Sequence, residues 1–177
     1  MEGTRIVASE SLPQLLAEQA IVRQLHAFCR ALDRLDPSLM RSIWHQGGTW
    51  SDDSSNDSSP ACHHAERLID ELRGYQCHAH HVSGIIIKME GEQAISLSQL
   101  TAVRRPHPDR TGMYLDQHLT QQCFDRWSRR EGRWAIDHRR TLGEATSELR
   151  VEQGGRGQRP RRDMADPVYA LFAALEQ

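Results

Sequence analysis

At His78 the chain changes texture, and that change limits what it can fold into. Before it, apolar residues recur at steps of three and four; after it, alternating and β-branched residues run in long stretches between short turn signals. The stretches 80–89, 94–105, 114–127 and 133–142 read as strands. They are broken by EGEQ at 90–93, by a loop from Pro106 to Gly112, and by RREG at 129–132. A parallel crossover needs about a dozen residues or more, so links this short join antiparallel neighbours. A helical half followed by a β-meander is an α+β architecture.

In the helical half, Leu15, Ile21, Leu25, Phe28, Leu32 and Leu35 mark one apolar face and predict a long helix over about 12–35. Asp36 and Pro37 read as the N-cap and first position of a short second helix that buries Leu39, Met40, Ile43 and Trp44. Ser59 and Pro60 open a third helix carrying Leu68, Ile69 and Leu72 and stopped by Gly74. No long strand is expected before these three helices are complete. The segment SDDSSNDSS at 51–59 cannot bury enough to order itself and reads as a mobile loop. Its acidic spacing hints at calcium, but no glutamate closes the EF-hand pattern. Residues 150–177 read as a Gly- and Arg-rich linker and a short apolar helix, DPVYALFAAL, which must dock on something as a lid or an interface element.

A length of 177 residues suits one domain, 1–177, with one hydrophobic core. A net charge of −2, with basic residues spread except for a late cluster at Arg156, Arg159, Arg161 and Arg162, gives nucleic-acid binding no patterned support. No stretch approaches the roughly 18 apolar residues of a membrane span, and the N-terminus lacks the regions of a signal peptide, so no membrane partner is expected and the cytoplasm is the expected compartment. Cys29, Cys62, Cys77 and Cys123 form no CxxC pair and read as reduced thiols.

Two groups carry chemistry. Asp33 continues a flanking row with Val22, His26 and Cys29, which turns its carboxylate toward the edge of the core; it could equally cap the next turn or pair with an arginine. Cys77-His78-Ala79-His80-His81 is the densest imidazole cluster, and alternation sets His78 and His80 on one face and His81 on the other. An inward histidine beside a carboxylate is a ready general base, while a histidine without one is ordinary core or surface. Zinc ligation by His78, His80 and a helix residue is a further possibility. His63 and His64 diverge by about 100° on a helix and cannot both reach one ion, and the spacing fits no established metal pattern, so no metal is expected. In the last strand Trp134, Ile136, His138 and Arg140 share a face by simple alternation. Arg140 would then either bind an anionic group in a pocket or form a salt bridge.

Three stretches, AEQAIVRQLHAFCRALDRLDPSLMRSIWH, HAHHVSGIIIKMEGEQAISLSQLTAV and FDRWSRREGRWAIDHRRT, taken in order over about 15–145, resemble the SnoaL-like branch of the nuclear-transport-factor-two-like superfamily. The resemblance implies a cone-shaped barrel, with helices closing a strongly curved antiparallel sheet around an apolar pocket. It also implies activities like those of scytalone dehydratase, hexachlorocyclohexane dehydrochlorinase and polyketide cyclases, which need no cofactor. By that resemblance Asp33 and His80 form a catalytic dyad, and Trp50, His81, Tyr114, His118, His138 and Arg140 are candidate substrate-binding residues. Two departures matter: Gly84 stands where family strands often carry asparagine, and Phe28 occupies the neighbourhood of the dehydrochlorinase-like lysine.

The leading expectation is a cofactor-independent lyase of dehydratase type, or an isomerase, acting on a small aromatic, polyketide-like or steroid-like molecule. The rival from the same fold is a noncatalytic module that holds a small ligand or assembles subunits. Homo-oligomerisation, as a dimer or a trimer, is expected from the resemblance.

Overall fold

A computed structural model describes residues 11–52, 58–152, 161–163 and 165–174. Among these the chain forms α1 (Leu12–Arg34), α2 (Pro37–Ser42), β1 (Trp44–Ser51), β2 (Ser59–Pro60), α3 (Ala61–Arg73), β3 (Cys77–Glu90), β4 (Gln93–Arg105), β5 (Tyr114–Arg130), β6 (Arg133–Val151) and α4 (Pro167–Ala173). The strands make one sheet in the order β2-β1-β6-β5-β4-β3. From β3 to β6 every neighbour is antiparallel, as the short links require. At the β5–β6 link, Glu131 and Gly132 both take positive φ, 52° and 80°, the two-residue turn whose twist matches that of the strands.

The helical half contains a strand that the sequence pattern hid. Trp44–Ser51 pairs parallel with β6 and antiparallel with the two-residue β2, so the sheet is mixed, and it does not close on itself. Gly47 and Gly48 interrupt any alternation in β1, and the register shifts between Trp44 and Thr49. β6 also outruns expectation, reaching Val151 because β5 pairs with it along its whole length. Of the acidic loop, residues 53–57 lie outside the described residues, as do 153–160 of the linker.

One face of the sheet carries the helices. α1 packs chiefly on β3 and β6, strands separated by β4 and β5 in the sheet, and so bridges a trough whose floor is β4 and β5. Ile21, Leu25, Phe28 and Leu32 from α1 meet Ile69 and Leu72 from α3 and Trp44, Trp50, Trp127 and Ile136 from the sheet in one buried core. Along β4 the inward residues include Ala94, Ser96, Ser98 and Ala102, side chains too small to fill the trough. α4 docks on its own chain. Arg30 lies over the Tyr169 and Phe172 rings at 5.2 and 4.8 Å, and Arg34 pairs with Asp166 at 3.5 Å.

The α1–α2 corner is built by two residues. Leu35 ends α1 in the left-handed conformation (φ 53°), and the Asp36 carboxylate accepts from the N–H groups of Ser38 and Leu39 at 3.0 and 2.9 Å. Asp36→Ala should therefore cost about 1 kcal/mol of stability, read as a lower midpoint in urea unfolding with an unchanged slope.

Candidate functional site

Because Asp36 caps α2, Asp33 has no capping duty, and its carboxylate turns from the last turn of α1 toward the start of β3. Alternation brings both His78 and His80 to that side, while His81 is exposed on the other. His80 Nδ1 lies 2.8 Å from Asp33 Oδ1, and His78 Nδ1 lies 3.6 Å from the same oxygen. An ionised carboxylate can only accept, so Nδ1 of His80 carries the proton and donates it. Nε2 is then the lone-pair nitrogen; it is buried and has no protein partner among the described residues. Burial pushes the His80 imidazolium pKa down, more strongly than Asp33 pulls it up, which keeps the ring neutral. For Asp33 burial alone would raise the pKa, but the neighbouring His78 and His80 imidazoles outweigh it and hold the carboxyl below its ordinary value.

His80 lines a cavity of about 160 Å³ set over the trough between α1, α3 and the sheet. Its apolar wall includes Phe28, Leu32, Trp50 and Leu100; its polar wall includes His64, Arg67, Arg104 and Gln121. Trp50 is buried, stacked on His64 at 4.1 Å and on Trp44 at 5.5 Å, and its indole N–H donates to Thr141 at 3.2 Å. Arg104 donates to Glu71 at 2.9 Å, while its buried Nε lacks a partner among the described residues. A larger hollow of about 540 Å³ lies near the start of α1, but its charged lining residues, Glu92 and Arg129, pair with each other at 3.6 Å.

The last strand departs from simple alternation. Trp127 faces Ile136 and Arg126 faces His138, so Asp137 is an extra residue, a β-bulge that turns over the side chains from His138 to Gly143. His138 therefore leaves the cavity side, its ring nitrogens within 2.8 and 3.4 Å of the Thr49 and Ser51 hydroxyls, and Arg140 is exposed. Arg139 goes inward instead. It is fully buried, holds Asp125 through two hydrogen bonds of 2.7 and 2.8 Å, and lies 4.2 Å from the centre of the Phe28 ring. Tyr114 sits half-buried with the Arg105 guanidinium 5.1 Å from its ring centre, and His118 is exposed.

Of the residues singled out from sequence, the fold brings Asp33, His80 and Trp50 together and leaves His81, Tyr114, His118, His138 and Arg140 outside the cavity lining. It adds His64, Arg67 and Arg104. The alternation Leu100-Ala102-Arg104 in β4, opposite His80 and His78, was the available signal for Arg104. Nothing local in the sequence marks the Asp137 bulge.

With this geometry in hand, a profile of the SnoaL-like domain matches residues 13–140. The chain belongs to the SnoaL-like family. Similar solved structures include a protein of Novosphingobium aromaticivorans provisionally named a scytalone dehydratase (21% identity, TM-score 0.66, covering 81% of this chain and 97% of that one). A type 2 hexachlorocyclohexane dehydrochlorinase matches at 13% identity and TM-score 0.69, covering 83% and 99%. The type 3 enzyme of Novosphingobium barchaimii matches at 12% and 0.65, covering 84% and 99%. At these identities the likeness is one of fold, the α+β cone with helices against a curved sheet. No protein of curated function matches the chain at a significant level. No described helix of this SnoaL-like chain is long and apolar enough to cross a membrane.

The buried Arg139 and Asp125 hold charge where no water can replace a lost partner. Asp125→Ala should destabilise the fold by about 3–5 kcal/mol in denaturant unfolding. Replacing both residues with apolar side chains of similar volume should cost much less.

Proposed function

We propose that this SnoaL-like protein is an acid–base lyase of dehydratase type, or an isomerase, whose base is His80 and whose base-orienting carboxylate is Asp33. The observation that carries the reading is the polarity of the pair: Nδ1 is tied to Asp33 at 2.8 Å, and the free lone pair of Nε2 belongs to a buried ring that lines the cavity. His80 Nε2 takes a proton from a carbon next to a carbonyl, and Asp33 stabilises the imidazolium that forms. The electron pair moves into a new carbon–carbon double bond. Either a β-hydroxyl departs, leaving as water with the proton that His80 returns, or the proton is returned at another carbon and the double bond shifts. Arg104, with a free Nε–H, is suited to hold the enolate oxygen. Neither a metal nor an organic cofactor enters this chemistry.

The cavity volume bears on substrate size. A space of about 150 Å³ admits benzene, so about 160 Å³ suits a single ring better than fused polyketide or steroid rings. The names of the similar structures, a dehydratase and two dehydrochlorinases, are those of eliminating enzymes and support the reaction class. The absence of a lysine in the Phe28 neighbourhood argues against dehydrochlorination here.

We also propose that copies of the chain associate through the outer face of the sheet. Ile86, Leu97 and Phe124 lie side by side across β3, β4 and β5, with Ile95 on the next row, and Ile86 and Ile95 are each 55% exposed. The same strip favours a second reading, a noncatalytic assembly or binding module.

Turnover separates the two readings. With single-ring β-hydroxy ketones as substrates, His80→Ala and Asp33→Asn should each lower kcat by about 10²- to 10⁴-fold. The acid limb of kcat/KM should lie below the ordinary imidazole value of about 6.5, since burial depresses His80 and protonation removes the base. No turnover by the wild type would favour the noncatalytic module, and turnover unchanged in both variants would overturn the roles given to Asp33 and His80. Light scattering at micromolar concentration should give a mass that is a multiple of 20.2 kDa, reduced by Ile86→Lys with Phe124→Lys.

A further inference from the structure

We infer that Asp33, His78 and His80 form a site for one divalent transition-metal ion of zinc type, and that the ion switches the dyad off. One donor atom from each of the three residues lies within 4.8 Å of the other two. A tetrahedral ion with bonds of about 2.0–2.2 Å sets its donors about 3.4 Å apart. The Asp33 Oδ1 distances to Nδ1 of His80 and His78, 2.8 and 3.6 Å, bracket that value.

His78 supplies the second, independent observation. Its side chain is wholly buried, yet neither ring nitrogen has a hydrogen-bond partner among the described residues. A buried imidazole whose polar neighbour, Asp33 Oδ1 at 3.6 Å, lies beyond hydrogen-bond reach calls for an explanation, and the acid–base reading gives it no part. The ligands come from two rigid elements, the last turn of α1 and the first residues of β3. Asp33, with 26% of its side chain exposed, offers the ion a path from solvent. Two imidazoles and one carboxylate select zinc, cobalt or nickel over calcium and magnesium, which prefer all-oxygen sites. A neighbouring cation, Arg104, which faces His78 across β3 and β4, is paired with Glu71 at 2.9 Å.

The consequence follows from the tautomer. An ion on Nδ1 of His80 displaces the proton that Nδ1 donates to Asp33. A neutral ring then carries its one proton on Nε2. The Nε2 lone pair becomes an N–H, and Asp33 is committed to the ion. This blocking effect rests on the acid–base reading; the ion site itself does not.

The test is calorimetric titration of zinc sulfate into the metal-stripped full-length protein, compared with His78→Ala, His78→Gln and, as a control for adventitious binding at the exposed helix histidines, His63→Gln. The expected result is one ion per chain, affinity at least tenfold weaker in both His78 variants, and affinity unchanged in His63→Gln. Absence of stoichiometric binding, or equal affinity in the wild type and both His78 variants, overturns the site. Where turnover is measurable, one equivalent of zinc should suppress it in the wild type and not in His78→Ala. Turnover indifferent to saturating zinc overturns the switch. A protein that binds one zinc through His78 but never turns over leaves the site standing and counts against the acid–base reading alone.

Discussion

α1 has to satisfy two strands at once. Its apolar stripe presses on β3 and β6, strands with two others between them, and it can do so only because the sheet bends beneath it. The bulges at Ser83–Ile86 in β3, around Glu144 and at Asp137 in β6 supply the extra residues that bending needs. Gly84, with φ 58°, sits in the first of these, in a conformation that a side chain would resist. The cavity lies where α1 spans a floor whose β4 residues are largely Ala and Ser.

The same bridging brings Asp33 and His80 together. Asp33 and His80 are 47 residues apart in sequence, and no hairpin or helical period relates them. They meet because α1 ends over the start of β3, and because Leu35 and Asp36 turn the chain immediately after Asp33. Desolvation then finishes what geometry begins. It keeps His80 neutral, and it raises Cys29, beside Asp33, to about 12, so that the thiol remains an inert filler.

What was legible in the sequence follows the range of the signals. The Asp36-Pro37 cap, the helical stripe, the alternation that separates His80 from His81 and the turn at Glu131-Gly132 are local, and each was read from neighbouring residues. β1 was hidden because its evident partner, β6, is more than 80 residues away and two glycines erase its alternation. His138 and Arg140 were placed wrongly for a different reason. Alternation was carried through Asp137 as though the strand were regular, and one extra residue reverses the assignments from His138 to Gly143. The acidic pairing that justifies the reversal, Arg139 with Asp125, is visible only across β5 and β6.

That pairing also explains why the bulge falls where it does. Without it, Arg140 would enter the core opposite Cys123, and Arg139 would be left outside opposite Phe124 with Asp125 stranded inside. A buried charge without a partner costs several kcal/mol, far more than one interrupted ladder bond at about 0.5–1.5 kcal/mol. The bulge is therefore the cheaper arrangement. It places a cation beneath Phe28, Trp44 and Trp50, within 4.2, 5.9 and 5.6 Å of the ring centres. Two of those rings line the cavity. Their positions are thereby tied to a charge pair that cannot relax without unfolding the strand, which gives an otherwise soft aromatic wall a fixed shape opposite His80.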